Sequence, residues 1–530
     1  MPFVAKISIS PSCRPTWAKV LNSCAETETV QFTEKDIQQL AARGITANQA
    51  AEQVTQLRKG FPGIRLTGPA LVGDGIVALS ESRADEYMES FNEAATHLNL
   101  LKFVPASGAA TRMFKALFEG GDGQSAERKE VRENIREFAF YPALKQVAEK
   151  QGIGEGQLAS LPSQKLFNLM LEPDGMGFGQ LPKGMIPFHR YGNTARTAFE
   201  EHLHEGLHHS CGVDDKVRIH FTVQQDFLAD IQAKLQSEAD AISSKTSKQF
   251  ELSFSVQSSA TDTLAIDANG EPVRNPDGSL LFRPGGHGAL IHNLNALSAE
   301  LIFVKNIDNV VSDRHKYQGI RYKMVLAGLA LDLHRRIVKY QRAIALGRTP
   351  VELCREIQHF LQEYFFLETP EGMCNRGSRR EFVAWVHPIL NRPLRVCGMV
   401  RNEGEPGGGP FWVHDEHTGR SLQIVEKSQI NTTDATQRDM LEAATHFNPV
   451  DLVCMTRDYT GKAYNLLQFV DPQTGFVSEK SHQGQTIRAL ELPGLWNGAM
   501  ANWNTVFVEV PASTFSPVKT VNDLLRPLHG

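Results

Sequence analysis

The sequence predicts an α/β protein in which helices flank a mixed, mostly parallel sheet and a smaller, β-rich C-terminal lobe follows. Short apolar runs rich in β-branched and aromatic residues are typical of strands. They occur at 101–106, 216–223, 250–256 and 300–308. Longer stretches of helical character, such as 225–242 and 323–347, lie between or after them. Strands that alternate with helices predict crossover connections, which place the strands parallel to one another.

Three segments are predicted along the chain. Residues 1–95 form a helical lead-in, in which helical spacing begins at Thr33 and Glu34 and ends at Gly60. Residues 96–394 form a nucleotide-binding α/β core with a helical insertion near 119–180. Residues 395–530 form the C-terminal lobe. Its strand-like runs lie close together at 421–430, 448–456, 465–470 and 505–510.

Composition and charge restrict the class of partner. The 530-residue chain has a formal net charge of -5 and a pI near 6.4, so no global field would gather polyanions. We therefore expect small-molecule substrates and no nucleic acid. No segment keeps 18 apolar residues together, and the N-terminus lacks the apolar core of a signal peptide, so we expect no membrane partner. The cysteines include no C-x-x-C pair, which favours a reduced, cytoplasmic location. They are Cys13, Cys24, Cys211, Cys354, Cys374, Cys397 and Cys454.

Residues 101–115, LKFVPASGAATRMFK, suggest a phosphate loop. An apolar strand is followed by small residues and then by Thr111 and Arg112, a pattern in which a turn opens a helix and backbone N–H groups face an anion. The loop is neither G-x-x-x-x-G-K-[ST] nor G-x-G-x-x-G, the two commonest phosphate loops. Taken alone, it fits an ordinary strand-to-helix turn equally well.

A second segment, LPKGMIPFHRYGNTARTAFEEHL, places Lys183 directly after Pro182. The two segments together, small residues ending in Thr-Arg and a later Pro-Lys, resemble the signature of nucleotidyltransferases that make nucleotide sugars. The loop of that family has the pattern Gly-Gly-x-Gly-Thr-Arg. The resemblance implies catalytic roles for Arg112 and Lys183. It also implies nucleotide binding by Ser107, Gly108, Ala109 and Thr111.

Six further segments follow in the order that a resemblance to UDP-sugar pyrophosphorylases requires. They are FSVQSSATDT, RPGGHGALI, IFVKNIDNV, IVEKSQI, HFNPVDLV and FSPVKTVNDLL. The resemblance spans roughly residues 100–525 and assigns a role to one or two residues of each segment. The residues are Gln257 for the uracil edge, Gly286 and His287 beside the nucleotide, Asp308 for a metal ion, Glu426 and Asn448 for sugar hydroxyls, and Lys519 for the phosphates.

The family resemblance implies a nucleotide-diphospho-sugar transferase-like (GT-A-like) fold and a Mg²⁺-dependent activity. The reaction joins a nucleoside triphosphate, with UTP favoured, to a sugar 1-phosphate and releases pyrophosphate. The whole chain also resembles an uncharacterised bacterial family, a domain of unknown function, from which no activity can be carried over. Neither the sugar nor the oligomeric state follows from the sequence.

The loop departs from the family pattern at two positions. Ser107 and Ala110 stand where the first and third glycines are expected. An alanine at positive φ is strained, so either the backbone follows a different path or the phosphate contact is altered. The stretch between Arg112 and Pro182 is also much longer than in the family, and the helical insertion fills it.

Two alternative functions compete with this interpretation. HEGLH matches H-E-x-x-H, in which two histidines, here His204 and His208, bind zinc and the glutamate, here Glu205, acts as general base. The extended zinc-protease motif fails, because Cys211 and Asp214 occupy the positions of its glycine and third histidine, so a third zinc ligand would have to be a more distant glutamate. The second alternative is a non-catalytic nucleotide-sugar-binding protein, which the substituted loop glycines favour.

Overall fold

In the computed structural model, the described residues are 30–119, 125–158, 160–373, 377–404 and 407–530. The first 29 residues of the predicted lead-in, and Cys13, Cys24 and Cys374, lie outside them. The chain divides into two compact units. The first unit comprises the residues up to Gly60, Thr263–Arg283 and Glu479–Leu490. The second unit comprises Phe61–Asp262, Pro284–Ser478 and Glu491–Gly530.

The described residues form 15 α-helices, numbered here in chain order. They are α1 Glu34–Arg43, α2 Ala47–Lys59, α3 Glu81–Ala95, α4 Lys115–Phe118, α5 Ala126–Glu133, α6 Tyr141–Lys150, α7 Glu155–Leu158, α8 Ser163–Leu171, α9 Ala198–His209, α10 Leu228–Ser243, α11 Leu290–Asn295, α12 Lys316–Ala345, α13 Val351–Phe365, α14 Arg379–Leu390 and α15 Ala435–Glu442.

The same residues form 19 strands. They are β1 Leu66–Pro69, β2 Leu71–Val72, β3 Gly75–Val77, β4 Leu100–Pro105, β5 Pro187–Tyr191, β6 Thr194–Thr197, β7 Lys216–Thr222, β8 Gln249–Ser255, β9 Thr263–Ile266, β10 Phe282–Arg283, β11 Leu301–Lys305, β12 Leu394–Arg401, β13 Gly409–Asp415, β14 Gly419–Val425, β15 His446–Phe447, β16 Asp451–Met455, β17 Phe476–His482, β18 Gln485–Glu491 and β19 Asn504–Glu509.

The central sheet of the second unit has the strand order β2-β3-β19-β12-β16-β11-β4-β7-β8. Along this order all neighbours are parallel except at β16, which is antiparallel to both β12 and β11; the short β15 also pairs antiparallel with β12. The mixed, mostly parallel sheet predicted from the alternating pattern is therefore confirmed.

Helices cover both faces of this sheet. Along β11, alternate residues point to opposite faces, as the period of a strand requires. Leu301 and Phe303 pack into a core with α3, α12, α13 and α14. Ile302 and Val304 pack into the other core, which includes residues of α11. Because both faces are covered, the central strands are continuous apolar runs rather than alternating ones.

The segment from residue 394 onward is rich in strands, as predicted, but four of them, β12, β15, β16 and β19, belong to the central sheet. β12 pairs with β19 in parallel, and β16 joins β12 to β11, so the sheet combines strands from before and after residue 394. One predicted strand is wrong: 465–470 contains the 3₁₀ helix Leu466–Phe469. Asn465 accepts a hydrogen bond from the Leu467 amide, and this capping favours a turn over an extended strand.

The first unit contains the described part of the lead-in. The helical stretch predicted at 33–60 is two helices, because Gly44 adopts a left-handed φ of 79° and ends α1. Thr33 and Thr46 begin α1 and α2 with capping boxes. Within this unit, Arg274 forms an ion pair with the buried Asp36 at 2.7 Å.

None of the helices in the described part of the chain is long and apolar enough to cross a membrane.

Candidate functional site

Several of the predicted site residues lie at one edge of the central sheet. Strands β4, β8, β11 and β19 run in the same direction, so their carboxyl ends share an edge. Ser107 follows β4, Gln257 follows β8, Asp308 follows β11 and Lys519 follows β19, while Asn448 precedes the antiparallel β16 and so reaches the same edge. Ligands of open α/β sheets bind outside the carboxyl ends of the strands.

The loop after β4 is joined to the segment that carries Lys183 by two backbone hydrogen bonds. The Ala110 amide donates to the Leu181 carbonyl, and the Lys183 amide donates to the Gly108 carbonyl, each at 3.0 Å. The Gln224 side chain holds the loop from the end of β7, because its Nε2 donates to the Ser107 carbonyl at 2.7 Å. The long insertion thus separates the loop and Lys183 in sequence but not in space.

Lys183 and Asp308 form the charged pair of the site. Lys183 Nζ lies 2.6 Å from Asp308 Oδ2, and their side chains are 13% and 20% exposed. The Val518 amide donates to the Asp308 carbonyl at 3.1 Å, which fixes the segment of Lys519 beside this pair. The structure therefore brings together a lysine from the segment after the insertion, an aspartate that follows β11 and the lysine-bearing segment after β19.

The loop adopts a backbone that requires no glycine at the substituted positions. No residue from Ser107 to Arg112 has a positive φ, so Ala110 is not strained. Among the described residues, the backbone amides of Ser107, Gly108 and Ala109 have no backbone acceptor. These N–H groups lie beside Lys183 and are available to a phosphate oxygen.

Thr111 and Arg112 are exposed in the short 3₁₀ helix that follows the loop. Within the described part of the chain, the Arg112 guanidinium forms no ion pair, so its charge is not neutralised by a carboxylate of the protein. An exposed guanidinium next to free loop amides suits a polyanion, because its fork of N–H donors matches phosphate oxygens.

The residues predicted to bind the nucleotide include a buried amide without a partner. Gln257 Nε2 is buried and has no hydrogen-bond partner in the described structure. Gly286 has a φ of 75°, a backbone conformation that few other residues adopt. The His287 ring stacks on Trp496 with ring centroids 4.7 Å apart. Burial lowers the pKa of His287, so the imidazole is neutral at pH 7.

Asn497, which the sequence did not indicate, lies near Glu426, one of the residues predicted to bind the sugar. Burial raises the pKa of Glu426, and the nearby Asn497 amide and Lys519 ammonium oppose this shift. The backbone N–H of Asn448 donates to the Gly408 carbonyl at 2.8 Å. Asn448 Nδ2 and both polar side-chain atoms of Asn497 are buried without a hydrogen-bond partner of good geometry in the described chain. Buried polar atoms usually have partners, so a ligand or an ordered water is expected to supply them here.

The HEGLH segment lies on α9, where Glu205 is buried between two lysines. Glu205 Oε2 lies 2.8 Å from Lys102 Nζ on β4, and Oε1 lies 2.5 Å from Lys305 Nζ on β11. Burial alone would raise the pKa of Glu205, but the two ammonium groups hold it well below its usual value. Gly206 lets the helix approach β7, since a Cβ there would lie 2.8 Å from Ile219.

These contacts do not fit a zinc hydrolase. A carboxylate that neutralises two buried lysines is too weak a base to activate water. His204 pairs with Glu238 at 2.7 Å, and His208 is exposed. Over the described residues, no group of three or more His, Cys, Asp or Glu side chains is arranged to hold a metal ion.

Comparisons with known proteins give the following matches. The chain is similar in structure to the UDP-N-acetylglucosamine pyrophosphorylase of Trypanosoma brucei, with 12% identity over 93% of this chain and 79% of that chain and a TM-score of 0.47. It is also similar to the UDP-glucose pyrophosphorylase of Leishmania major, with 12% identity over 93% of this chain and 79% of that chain and a TM-score of 0.43. None of the curated proteins matches its sequence.

The sequence matches one family model over residues 33–530, which is nearly the whole chain. The match includes every predicted site residue, from the loop after β4 to Lys519. The protein therefore belongs to the family described as Domain of unknown function (DUF4301).

Proposed function

We propose that this protein is a nucleotidyltransferase that makes a nucleotide sugar and pyrophosphate from a nucleoside triphosphate and a sugar 1-phosphate. One observation carries the proposal. Lys183 lies 2.6 Å from Asp308, beside the free amides of the loop and the segment of Lys519. Four chain segments that are far apart in sequence thus place positive charge, N–H donors and one carboxylate at one edge of the sheet.

The chemistry of this transfer requires positioned charge rather than a strong base. A phosphate oxygen of the sugar 1-phosphate attacks the α-phosphorus, the new P–O bond forms, and the bond to pyrophosphate breaks in line. The attacking phosphate is already an anion, so no proton need be removed. The two polyanions repel each other, and catalysis consists largely of holding them together and stabilising the charge that develops.

We assign a role in this reaction to each cation. Arg112 holds the departing pyrophosphate, Lys183 the α-phosphate, and Lys519 the phosphate of the sugar. Gln257 binds the base, and Glu426 and Asn448 bind sugar hydroxyls. The buried nitrogens Gln257 Nε2 and Asn448 Nδ2 support these last roles, because neither has a hydrogen-bond acceptor within the described protein. Asn448 Oδ1 accepts from the Val450 backbone amide at 3.0 Å, which holds the side chain in place.

The residues present suit Mg²⁺ at Asp308. Mg²⁺ prefers oxygen ligands and is commonly bound through one or two carboxylates together with substrate phosphates and water. Asp308 supplies one partly exposed carboxylate. When bound, the ion would neutralise phosphate charge between the two substrates.

Replacing the proposed metal ligand is expected to abolish most turnover without unfolding the protein. Asp308→Asn keeps the shape of the side chain but removes the charge that binds Mg²⁺, so kcat should fall about tenfold or more. Pyrophosphate release measured across a Mg²⁺ titration checks this, with Asp332→Asn on α12 as the control. Full activity of the wild type after EDTA treatment and removal of the chelator would contradict the metal dependence.

A preference for UTP is expected from Gln257. A side-chain amide offers an N–H donor and a carbonyl acceptor on adjacent atoms, which complement the edge of uracil. Gln257→Ala should therefore reduce the ratio of kcat/KM for UTP to that for ATP, while the exposed Gln236→Ala leaves it unchanged. A clear wild-type preference for a purine triphosphate, or an unaltered ratio in Gln257→Ala, would show that Gln257 does not determine which base is bound.

The experiment that tests the proposed function is a screen for pyrophosphate release. It crosses ATP, CTP, GTP and UTP with a panel of hexose and N-acetylhexosamine 1-phosphates. Release with at least one pair supports the enzyme. Calorimetric binding of a nucleotide sugar without any release would identify a binding protein instead.

A further inference from the structure

Asn497 is a buried polar residue that none of the predicted motifs includes. It lies in the segment between β18 and β19 and is 2% exposed. Oδ1 and Nδ2 have no hydrogen-bond partner of good geometry among the described residues, although the side chain lies near enough to the Glu426 carboxyl to lower its pKa. Burying a side-chain amide without partners is costly, so such groups are rare unless a water or ligand completes them.

The surroundings of Asn497 place it in the proposed sugar site. A Cβ added to Gly408 would lie 3.4 Å from Asn497 Nδ2 and 3.1 Å from Glu426 Oε1. A Cβ added to Gly494 would lie 3.0 Å from Asn497 Oδ1. The amide therefore lies between two glycines and beside Glu426, the carboxyl whose pKa also responds to Lys519.

The neighbouring Trp496 contacts the proposed nucleotide-binding segment. Its ring stacks on His287, which follows the glycines predicted to approach the nucleotide. Consecutive residues of one segment thus contact the nucleotide-binding loop and the carboxyl predicted to bind the sugar. This placement suits a role of Asn497 in binding the sugar ring close to its phosphate.

The donors and acceptors of the Asn497 side chain indicate which chemical group it would bind. An asparagine side chain presents one acceptor and two donors on adjacent atoms of a planar group. Two neighbouring hydroxyls of a pyranose ring complement it, because one donates to Oδ1 and the other accepts from Nδ2. A phosphate or carboxylate offers acceptors only, and the N–H and C=O of an acetamido group point in opposite directions.

We propose that Asn497 is a specificity-determining residue that binds a vicinal diol of the sugar ring. This inference rests on the proposed function and deepens it, since it names the part of the sugar that is recognised. A buried water that bridges Asn497 to Glu426 is the competing explanation. In that case the residue would be structural and indifferent to the hydroxyls of the sugar.

The test compares substrates that lack single hydroxyls. The 1-phosphates of glucose, galactose, mannose and N-acetylglucosamine are assayed first. The 2-, 3- and 4-deoxy forms of the fastest substrate are then assayed with wild type, Asn497→Leu and Asn497→Asp. Asn193→Ala, an exposed position in the turn between β5 and β6, is the control.

For the wild type, we expect kcat/KM to fall about 10- to 100-fold for deoxy sugars at two adjacent positions, as expected for buried polar groups left unpaired. Asn497→Leu should lose a similar factor with the complete sugar, mainly through KM, and should no longer distinguish the deoxy analogues. Asn497→Asp replaces the donor with a second acceptor, to which a hydroxyl can donate, so it should retain more of the discrimination than Asn497→Leu does. The KM for the triphosphate should not change in any variant.

The results separate this inference from the proposed function. If pyrophosphate is released but Asn497→Leu discriminates the deoxy sugars as the wild type does, the inference is wrong and the function stands. If no pair of substrates releases pyrophosphate, the proposed enzyme is wrong. Calorimetry with UDP-glucose and UDP-N-acetylglucosamine then decides the role of Asn497, and an absence of binding, or equal affinities of wild type and Asn497→Leu, overturns it. Thermal midpoints of the variants close to that of the wild type establish that each is folded.

Discussion

Lys183→Ala and Lys519→Ala are each expected to lower kcat for pyrophosphate release by about 10²- to 10³-fold, the usual effect of losing one preorganised electrostatic group. Lys183 reaches the site from the segment after Pro182, and Lys519 follows Val518, whose amide is bonded to the Asp308 carbonyl. Both lysines would act on charge that develops as the two phosphates approach. The loss should therefore appear in kcat with single-turnover kinetics as well as in the steady state.

Neither substitution should destabilise the fold appreciably. Lys183 and Asp308 are both partly exposed, and ion pairs near the surface contribute about 0–1 kcal/mol to stability. Lys129→Ala, which removes an exposed lysine of α5, serves as the control for a lost surface charge. Nearly normal activity of Lys183→Ala in a folded protein would contradict the assignment and would return the loop after β4 to an ordinary turn.

The double variant distinguishes a shared role from two separate ones. If both lysines act on the same developing charge, Lys183→Ala combined with Lys519→Ala should lose less than the sum of the two free-energy penalties. Additive penalties would mean that the two lysines act at independent steps or on separate phosphates. A double-mutant cycle in kcat/KM measures the difference.

Much of the fold follows from residue patterns because the central strands are buried on both faces. A run such as 301–305 is continuously apolar before Lys305 and is rich in branched and aromatic residues, which favour strands. Such a pattern does not predict that β16 runs antiparallel to its neighbours, because a buried strand is an apolar run whichever way it is oriented in the sheet. The direction of β16 is determined by its antiparallel pairing with β12 and β11, which are distant in sequence.

The candidate site was predictable where residues stand at the ends of strands. Gln257 directly follows the apolar run at 250–256, Asp308 ends the run at 300–308, and the loop after β4 combines small residues with Thr111 and Arg112. Asn497 was missed because the segment around it, GLWNG, has neither a strand pattern nor a known spacing. Its importance depends on Gly408 and Glu426, which approach it only in the folded chain.

The HEGLH segment shows why local spacing can mislead. The helix α9 does present His204 and Glu205 from a regular helix, as the zinc motif requires. Whether a glutamate is a base or a structural anion depends on what surrounds it, and here Lys102 and Lys305 come from strands about one hundred residues away in either direction. Nothing in the five-residue motif encodes those partners.

Glu205→Ala is consequently expected to destabilise the second unit by about 3–5 kcal/mol, the cost of removing one partner from a buried ion pair. It leaves the ammonium groups of Lys102 and Lys305 buried with less compensation, on the two strands that precede Ser107 and Asp308. Urea unfolding followed by tryptophan fluorescence measures the loss. Glu238→Ala, which removes the partly exposed partner of His204, should cost no more than about 1 kcal/mol.

The penalty should also depend on pH. Burial lowers the pKa of Lys102 from 10.5 to about 7 in the folded protein, against the attraction of Glu205. Above pH 7 the folded state loses this proton while the unfolded chain keeps it up to about 10.5, so the charge that Glu205 compensates disappears from the native state. The part of the destabilisation that arises from Lys102 should therefore be largest well below pH 7 and should be lost as the pH rises through about 7, while the part that arises from Lys305 remains. A loss below 1 kcal/mol at pH 6, or restoration of stability by added zinc, would contradict the structural role and would reopen the metal hypothesis for HEGLH.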